Sequence, residues 1–287
     1  MKFDSEAEEL KNISNKIFAY RMVPFSVGVI IFLILVVLPG INEEIKLYIG
    51  AVIFVLTIIA VANAEGKIGE LREERHRVYN RSLSSMIRYA HYEPERGFDI
   101  LEVGTFGIIK LGKDYNSVNY FQGHYKEVGL RQADVVIYGD SNYSENADII
   151  NFFDGRIYEF KTDKISVQNV KVFSKGYDSR LNVSEYRVDV DNLLFNDNFD
   201  VYAPEPSEVA EVLNSEMMEH LLILQNRYKS IGFRFGEGKV IVAINGLKVF
   251  FGDNAENSVE LAIMQEEARI SIELIEALGL VTTEKKE

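Results

Sequence analysis

"VGVIIFLILVVL", Val27 to Leu38, contains no charged residue, and its reading decides the fold of everything around it. The uncharged run that holds it extends from Met22 to Asn42, 21 residues, and a second one, "LYIGAVIFVLTIIAVANA", covers the 18 residues from Leu47 to Ala64. A helix rising about 1.5 Å per residue needs roughly 20 such residues to cross a hydrocarbon core of about 30 Å. A helical hairpin buried in a soluble core is the alternative. Both runs are apolar all round, however, whereas a soluble helix usually keeps a polar face. Pro39-Gly40 and Asn42-Glu43-Glu44 make a tight polar turn between them. A cleaved signal peptide fits poorly, because the leader carries Asp4, Glu6, Glu8 and Glu9 and no small-residue cleavage site follows the first run.

Basic residues orient the hairpin. Lys11, Lys16 and Arg21 precede the first run, and Lys67, Arg72, Arg75, Arg77 and Arg81 follow the second, while the connecting turn holds only Lys46. The positive-inside rule then predicts a two-span protein of the cell membrane with its N-terminus and everything after Ala64 in the cytoplasm. The chain has no Cys, which removes disulfides, thiolate metal sites and thiol nucleophiles together. Its net charge of −13 lies entirely beyond Arg96, since the first 96 residues hold 12 acids and 12 bases. So acidic a C-terminal part is repelled by phosphate backbones, and nucleic acid is not an expected partner.

From Glu65 to about Tyr92 the pattern predicts a helical stalk, with Ile68, Leu71, Val78, Met86 and Ile87 near one stripe and Pro94 beyond its end. The stripe could pack on its own domain or on a second subunit, making a homo-oligomer. Short β-type runs follow: "VNYFQGHYKEVGL", "ADVVIYGDS", "IINFFDGRIYEFKT", "QNVKVFSK" and "YRVDVDNLLF". Gly123 and Gly155 inside them suggest a bulge or a close backbone approach. After Pro206, Ser207 is a candidate cap for a short helix and Asn214 or Ser215 for the longer "EMMEHLLILQNRY". A meander "IGFRF", "VIVAI", "LKVFF" comes next, turning at Gly236-Glu237-Gly238 and Asn245-Gly246. A last helix should run from Asn257, with Glu260 completing a capping box, to Leu278, with Gly279 as its stop.

The densest group of chemically capable side chains is "FNDNFDVYAPEP", Phe195 to Pro206. A calcium loop of EF-hand type needs oxygen ligands at positions 1, 3 and 5 and Gly at 6. Counting from Asp189 puts Leu193 and Leu194 at 5 and 6; counting from Asn196 puts Val201 at 6. The stretch therefore reads as a polar turn, Asn196 to Asn198, ahead of a strand that faces Phe199, Val201 and Ala203 one way. His76, His91, His124 and His220 stand far apart with no zinc-site spacing, and no nucleophile elbow, P-loop or dinucleotide fingerprint occurs. "GFRFGEGK" ends in a hairpin turn and not in a helix, so it cannot cradle phosphate. No catalytic, cofactor-binding or metal-binding residue is assigned, and no cofactor is expected.

"HYEPERGFD" (His91 to Asp99), "YFQGHYKEVGLRQADVVI" (Tyr120 to Ile137), "FFDGRIYEF" (Phe152 to Phe160), "LLFNDNFDVYAPEP" (Leu193 to Pro206), "MMEHLLIL" (Met217 to Leu224) and "FRFGEGKVIVAI" (Phe233 to Ile244) occur in that order. Together they resemble the bacterial membrane proteins of domain-of-unknown-function family 3137. The resemblance implies two N-terminal spans and a large soluble domain, and it brings no catalytic residues. Members often have Leu-Thr-Pro before the Met-Glu helix, where this chain has Leu213-Asn214-Ser215.

The expected class is α+β: a transmembrane helical hairpin, a helical stalk, then a mainly antiparallel β domain with two or three packed helices. The segments are a cytoplasmic stretch 1–21, the hairpin 22–64, the stalk 65–92, the cytoplasmic domain 93–279 and a tail 280–287. The function expected is that of a membrane-anchored scaffold or regulatory module binding a protein partner. A membrane-anchored carboxylate hydrolase or a small-molecule sensor is the alternative. The first would need two acids converging in a cleft, and the second a closed apolar pocket.

Overall fold

A computed structural model describes residues 2–37, 42–140, 149–177, 185–247 and 257–281. The turn at Pro39-Gly40, the third meander run beyond Leu247, the side chains of Asn257 and Glu260, and the tail beyond Val281 lie outside the described residues. The chain divides into two compact units, Met1–Ser82 with Gly252–Ala262, and Leu83–Phe251 with Ile263–Glu287.

The first unit is built on α1 (Lys2–Val37) and α2 (Glu43–Leu83). Asn42 starts α2 by accepting the Glu44 amide on its side chain at 2.9 Å. The two helices run antiparallel: Arg81 meets Glu9 at 3.1 Å at one end, and Lys46 Nζ donates to the Val36 carbonyl at 3.4 Å at the other. Between these points a Cβ on Gly28 would fall 2.4 Å from Thr57 Oγ1, so this close approach needs glycine. Both helices are long and apolar enough to cross a membrane. In their most apolar windows only 6% and 0% of the residues are buried. A core hairpin of a soluble protein would bury those faces; here Phe25, Leu33, Phe54 and Leu56 point outward. The polar ends differ, with Leu10, Ile13, Ile68 and Val78 all buried.

The stalk is shorter than the sequence predicts. The amides of Met86 and Ile87 close on the Leu83 carbonyl at 2.9 and 3.0 Å, and β1 (Arg88–Glu93) follows. Ala90 and Tyr92 point inward with a period of two, and β1 pairs with β2 (Asp114–Tyr125). Because no Gly or Pro marks the change before Pro94, Met86 and Ile87 extend a helical stripe on paper while sheet pairing captures the chain.

The second unit carries one nine-stranded antiparallel sheet. Its further strands are β3 (Val128–Asp140), β4 (Ile149–Lys161), β5 (Val170–Ser174), β6 (Tyr186–Arg187), β7 (Phe199–Ala203), β8 (Ile231–Gly236) and β9 (Lys239–Asn245). The order across the sheet is β1-β2-β3-β4-β9-β8-β5-β7-β6. The late hairpin β8–β9 therefore lies in the middle, with β9 on β4 and β8 on β5. Its turn is of the kind hairpins favour, with Glu237 and Gly238 at φ 56° and 70°. A Cβ on Gly155 would fall 2.0 Å from the Ile244 carbonyl oxygen, the close backbone approach expected of that glycine.

Helices cover both faces. On one, Val103 and Phe106 of α3 (Ile100–Phe106) join Ala133, Val135, Ile157 and Ile241 in a core cluster. On the other lies α7 (Asn257–Ala277), whose Ser271 Oγ donates to Gln132 Oε1 of β3. Gly279, at φ 61°, ends α7 in a Schellman turn: the Leu280 amide reaches the Ile275 carbonyl and the Gly279 amide that of Glu276, each at 3.0 Å. The class is α+β, as expected. The run "YRVDVDNLLF" is not a strand throughout. After β6 it turns into α4 (Leu193–Asn198), capped by the Asn192 side chain at 3.0 Å. Thus Asn196 to Asn198 form the end of a short helix, where a turn was expected, and β7 begins at the next residue. In α5 (Pro206–Val212) proline takes the first turn, the N-cap is Glu205 and not Ser207, and no side chain caps it. Asn214 caps α6 (Ser215–Tyr228) at 2.8 Å.

Candidate functional site: a buried charged network

Strands buried on both faces have apolar side chains at nearly every position. In β3 and β4 the buried exceptions are Gln132, Asp134, Arg156 and Glu159, all less than 9% exposed. Asp134 and Arg156 are direct cross-strand partners, and Arg156 Nε donates to Asp134 Oδ1 at 2.7 Å. From α7, Glu267 reaches the same guanidinium and pairs with it. The network continues sideways. Asn119 Nδ2 donates to Asp134 Oδ2 at 2.7 Å, and the Tyr92 hydroxyl donates to Asn119 Oδ1 at 3.0 Å.

One residue each from β1, β2, β3, β4 and α7 is thereby tied into a single polar chain. Asn119 holds its place in a left-handed conformation, φ 59°, at the register shift between Val118 and Phe121. Its own amide closes on the Pro94 carbonyl at 2.9 Å. Asn tolerates that conformation better than most residues, and the bulge aims its side chain at Asp134.

Asp134 and Glu267 are the converging pair of acids that a hydrolase reading asks for. Both are committed to Arg156, however, and the cavity beside them, lined also by Tyr92, Asn119 and Gln132, measures about 10 Å³. That is about the smallest space that holds one water, so a substrate has no room there. Buried polar groups whose partners come from five elements lock those elements in one arrangement, because removing Arg156 leaves two buried acids without their cation and removing Asn119 takes a hydrogen bond from Asp134.

On the opposite face Arg131 bridges Glu102 of α3, at 2.6 Å, and Glu159 of β4. Further along, Lys171 Nζ meets Glu185 at 2.6 Å, and Arg234 of the neighbouring strand donates to Asn169 Oδ1 at 2.8 Å and to the Thr105 carbonyl. Burial pushes the Glu185 carboxyl up, but hydrogen bonds from Lys171 and Asn169 outweigh it and hold the group below its ordinary value. Burial alone pushes the Tyr177 hydroxyl well above its ordinary range, and that hydroxyl donates to the Ile108 carbonyl at 2.9 Å.

The histidines do other work. His91 faces Glu93 at 3.2 Å, and His124 packs edge-on against Tyr89. Among the described residues no three His, Asp or Glu side chains are placed to hold a metal ion. In the Phe195 to Pro206 stretch, Asn196 bonds both the amide and the carbonyl of Val190, and Asp200 pairs with Lys175 and Arg187. Sequence reading assigned no member of the Arg156 network. Its signal is polar residues at alternate positions of "RQADVVI" and "DGRIYEF", which only stand out once both sheet faces are known to be covered.

No curated protein matches the sequence. Among solved structures, the crystal structure of the mycobacterial trehalose monomycolate transport factor A, TtfA, is similar at 13% identity, covering 72% of this chain and 99% of that one. Its TM-score of 0.36 is too low to equate the two folds. Residues 151–282, from within β4 to beyond the end of α7, match the family model described as protein of unknown function (DUF3137), the family that the sequence motifs resemble.

Proposed function

We propose that this protein is anchored in a membrane by α1 and α2, with both termini cytoplasmic, and that its sheet domain is a scaffold or regulatory module for a protein partner. The observation that carries the reading is a pair of leucines. Leu193 and Leu194, the first residues of α4, are 83% and 62% exposed, close to the edge strand where Tyr186 is 75% exposed. Adjacent leucines in water are costly to leave bare, and such groups mark interaction surfaces. From Val188 to Asn226 the chain has nine acids and no Lys or Arg, so this surface suits a basic protein partner and repels anionic lipid.

The test is a photo-crosslinking residue at Leu193 of the full chain in its native membranes, with Leu111 on another surface as control. A discrete adduct from position 193, absent from position 111 and lost with Leu194→Asp, is the expected result. Equal labelling from both positions would refute the assigned surface.

A further inference from the structure

The groove between α1 and α2 is uneven in its chemistry. Next to the polar ends of the two helices it widens into a cavity of about 470 Å³, walled by Val23 and Ala60 within the uncharged runs and bounded by Lys16, Tyr20, Asn63 and Lys67. The small side chain of Ala60 leaves the space open. A second apolar groove, between Gly28 and Phe32 of α1 and Gly50 and Phe54 of α2, is a separate space that shares no lining residue with it. Lys67 spends one contact on Glu70 at 2.9 Å, an exposed pair that exchanges readily. Lys16 enters no ion pair among the described residues. Tyr20 is 42% exposed, the place of an aromatic ring at a membrane–water boundary.

A ligand suited to this cavity is anionic at one end and apolar at the other. We propose that the cavity binds one anionic phospholipid, its phosphate between Lys16 and Lys67 and an acyl chain against Val23, Pro24 and Ala60. The proposal rests on the reading that α1 and α2 cross a bilayer. Within that reading it selects a lipid class, because a zwitterionic headgroup offers the two lysines no net charge. A second copy of the hairpin would present mainly apolar residues to the groove and leave both ammonium groups without a counter-charge.

The experiment uses the full chain in detergent, stripped of lipid, and measures saturable binding of phosphatidylglycerol and of phosphatidylcholine carrying the same labelled chains. Phosphatidylglycerol should bind more tightly by about tenfold, and Lys16→Gln with Lys67→Gln should remove that preference. The arginine pair at the same positions should keep it, which separates charge from misfolding. Ala60→Phe should weaken both lipids by filling the groove. Glycerol phosphate should fail to compete, which distinguishes a lipid from a free phosphate ligand. Equal binding of the two lipids, a preference that survives the glutamine pair, or competition by glycerol phosphate would overturn the proposal. Extraction of membranes with alkaline carbonate separates the two failures. A chain that washes off refutes the bilayer reading itself, whereas a chain that stays while the lipid preference is absent refutes only the lipid site.

Discussion

Phe199 and Asp197 stand two positions apart and differ in what they touch. Phe199 is 1% exposed and stacks on Phe195 with ring centres 4.7 Å apart, whereas the Asp197 side chain is in solvent. Phe199→Ala should therefore cost about 3–5 kcal/mol and Asp197→Ala less than about 1, read as denaturation midpoints of the full chain in detergent. Calcium should leave both midpoints unchanged. Arg156→Met is the severer case: it leaves Asp134 and Glu267 buried without their shared cation and should cost roughly 3–5 kcal/mol. Adding Asp134→Asn and Glu267→Gln should restore part of that loss, and a double-mutant cycle measures how much. Glu185 gives a pH dependence. Its folded value lies below the ordinary 4.5, so its contribution is present above that value and is lost as pH falls through the folded one. Glu185→Gln should flatten the acid limb of a stability-versus-pH curve. Of these residues, the alternation of Phe199, Val201 and Ala203 is plain in the sequence. The salt links are not, because their partners lie on strands and helices far apart along the chain.

At the scale of elements, local chemistry was legible wherever it was self-contained. The caps at Asn214 and Gly279, the Glu237-Gly238 turn and the apolar face of α6 all depend on residues a few positions apart. Gly279→Ala should cost about 1–2 kcal/mol, since an L side chain must then adopt φ near 61°, and a thermal melt of the full chain would show it. Elements whose form is set by distant neighbours were harder to read. β1 is a strand because β2 offers its edge, and "DNLLF" is helical because Asn192 caps it before any strand partner can claim it. α3, seven residues between Asp99 and Gly107, is too short for a periodicity to declare itself.

For the whole molecule, the two long apolar helices were the most legible feature, since uncharged runs of 21 and 18 residues need no partner to identify them. The three and five basic residues flanking the hairpin against Lys46 alone set the expected orientation. Alkaline phosphatase fused after Glu44 should be active and fused after Lys286 inactive; the reverse pattern would turn the protein over in the membrane. The order of strands was not legible, because nothing within "IGFRFGEGKVIVAI" says that it pairs with β4 on one side and β5 on the other.

That order has a consequence for how the protein is made. As the ribosome delivers the chain, β1 to β4 emerge first, and β4 presents a bare edge until synthesis reaches Asn245. Nor can β5 and β7 join the earlier strands before β8 and β9 arrive, for that hairpin is the bridge between them. An open edge on a nascent chain is a template for pairing with its neighbours on the same message. A premature stop between Ala203 and Lys239 therefore leaves two half-sheets with unpaired borders, a product for chaperones and proteases and not a smaller working domain.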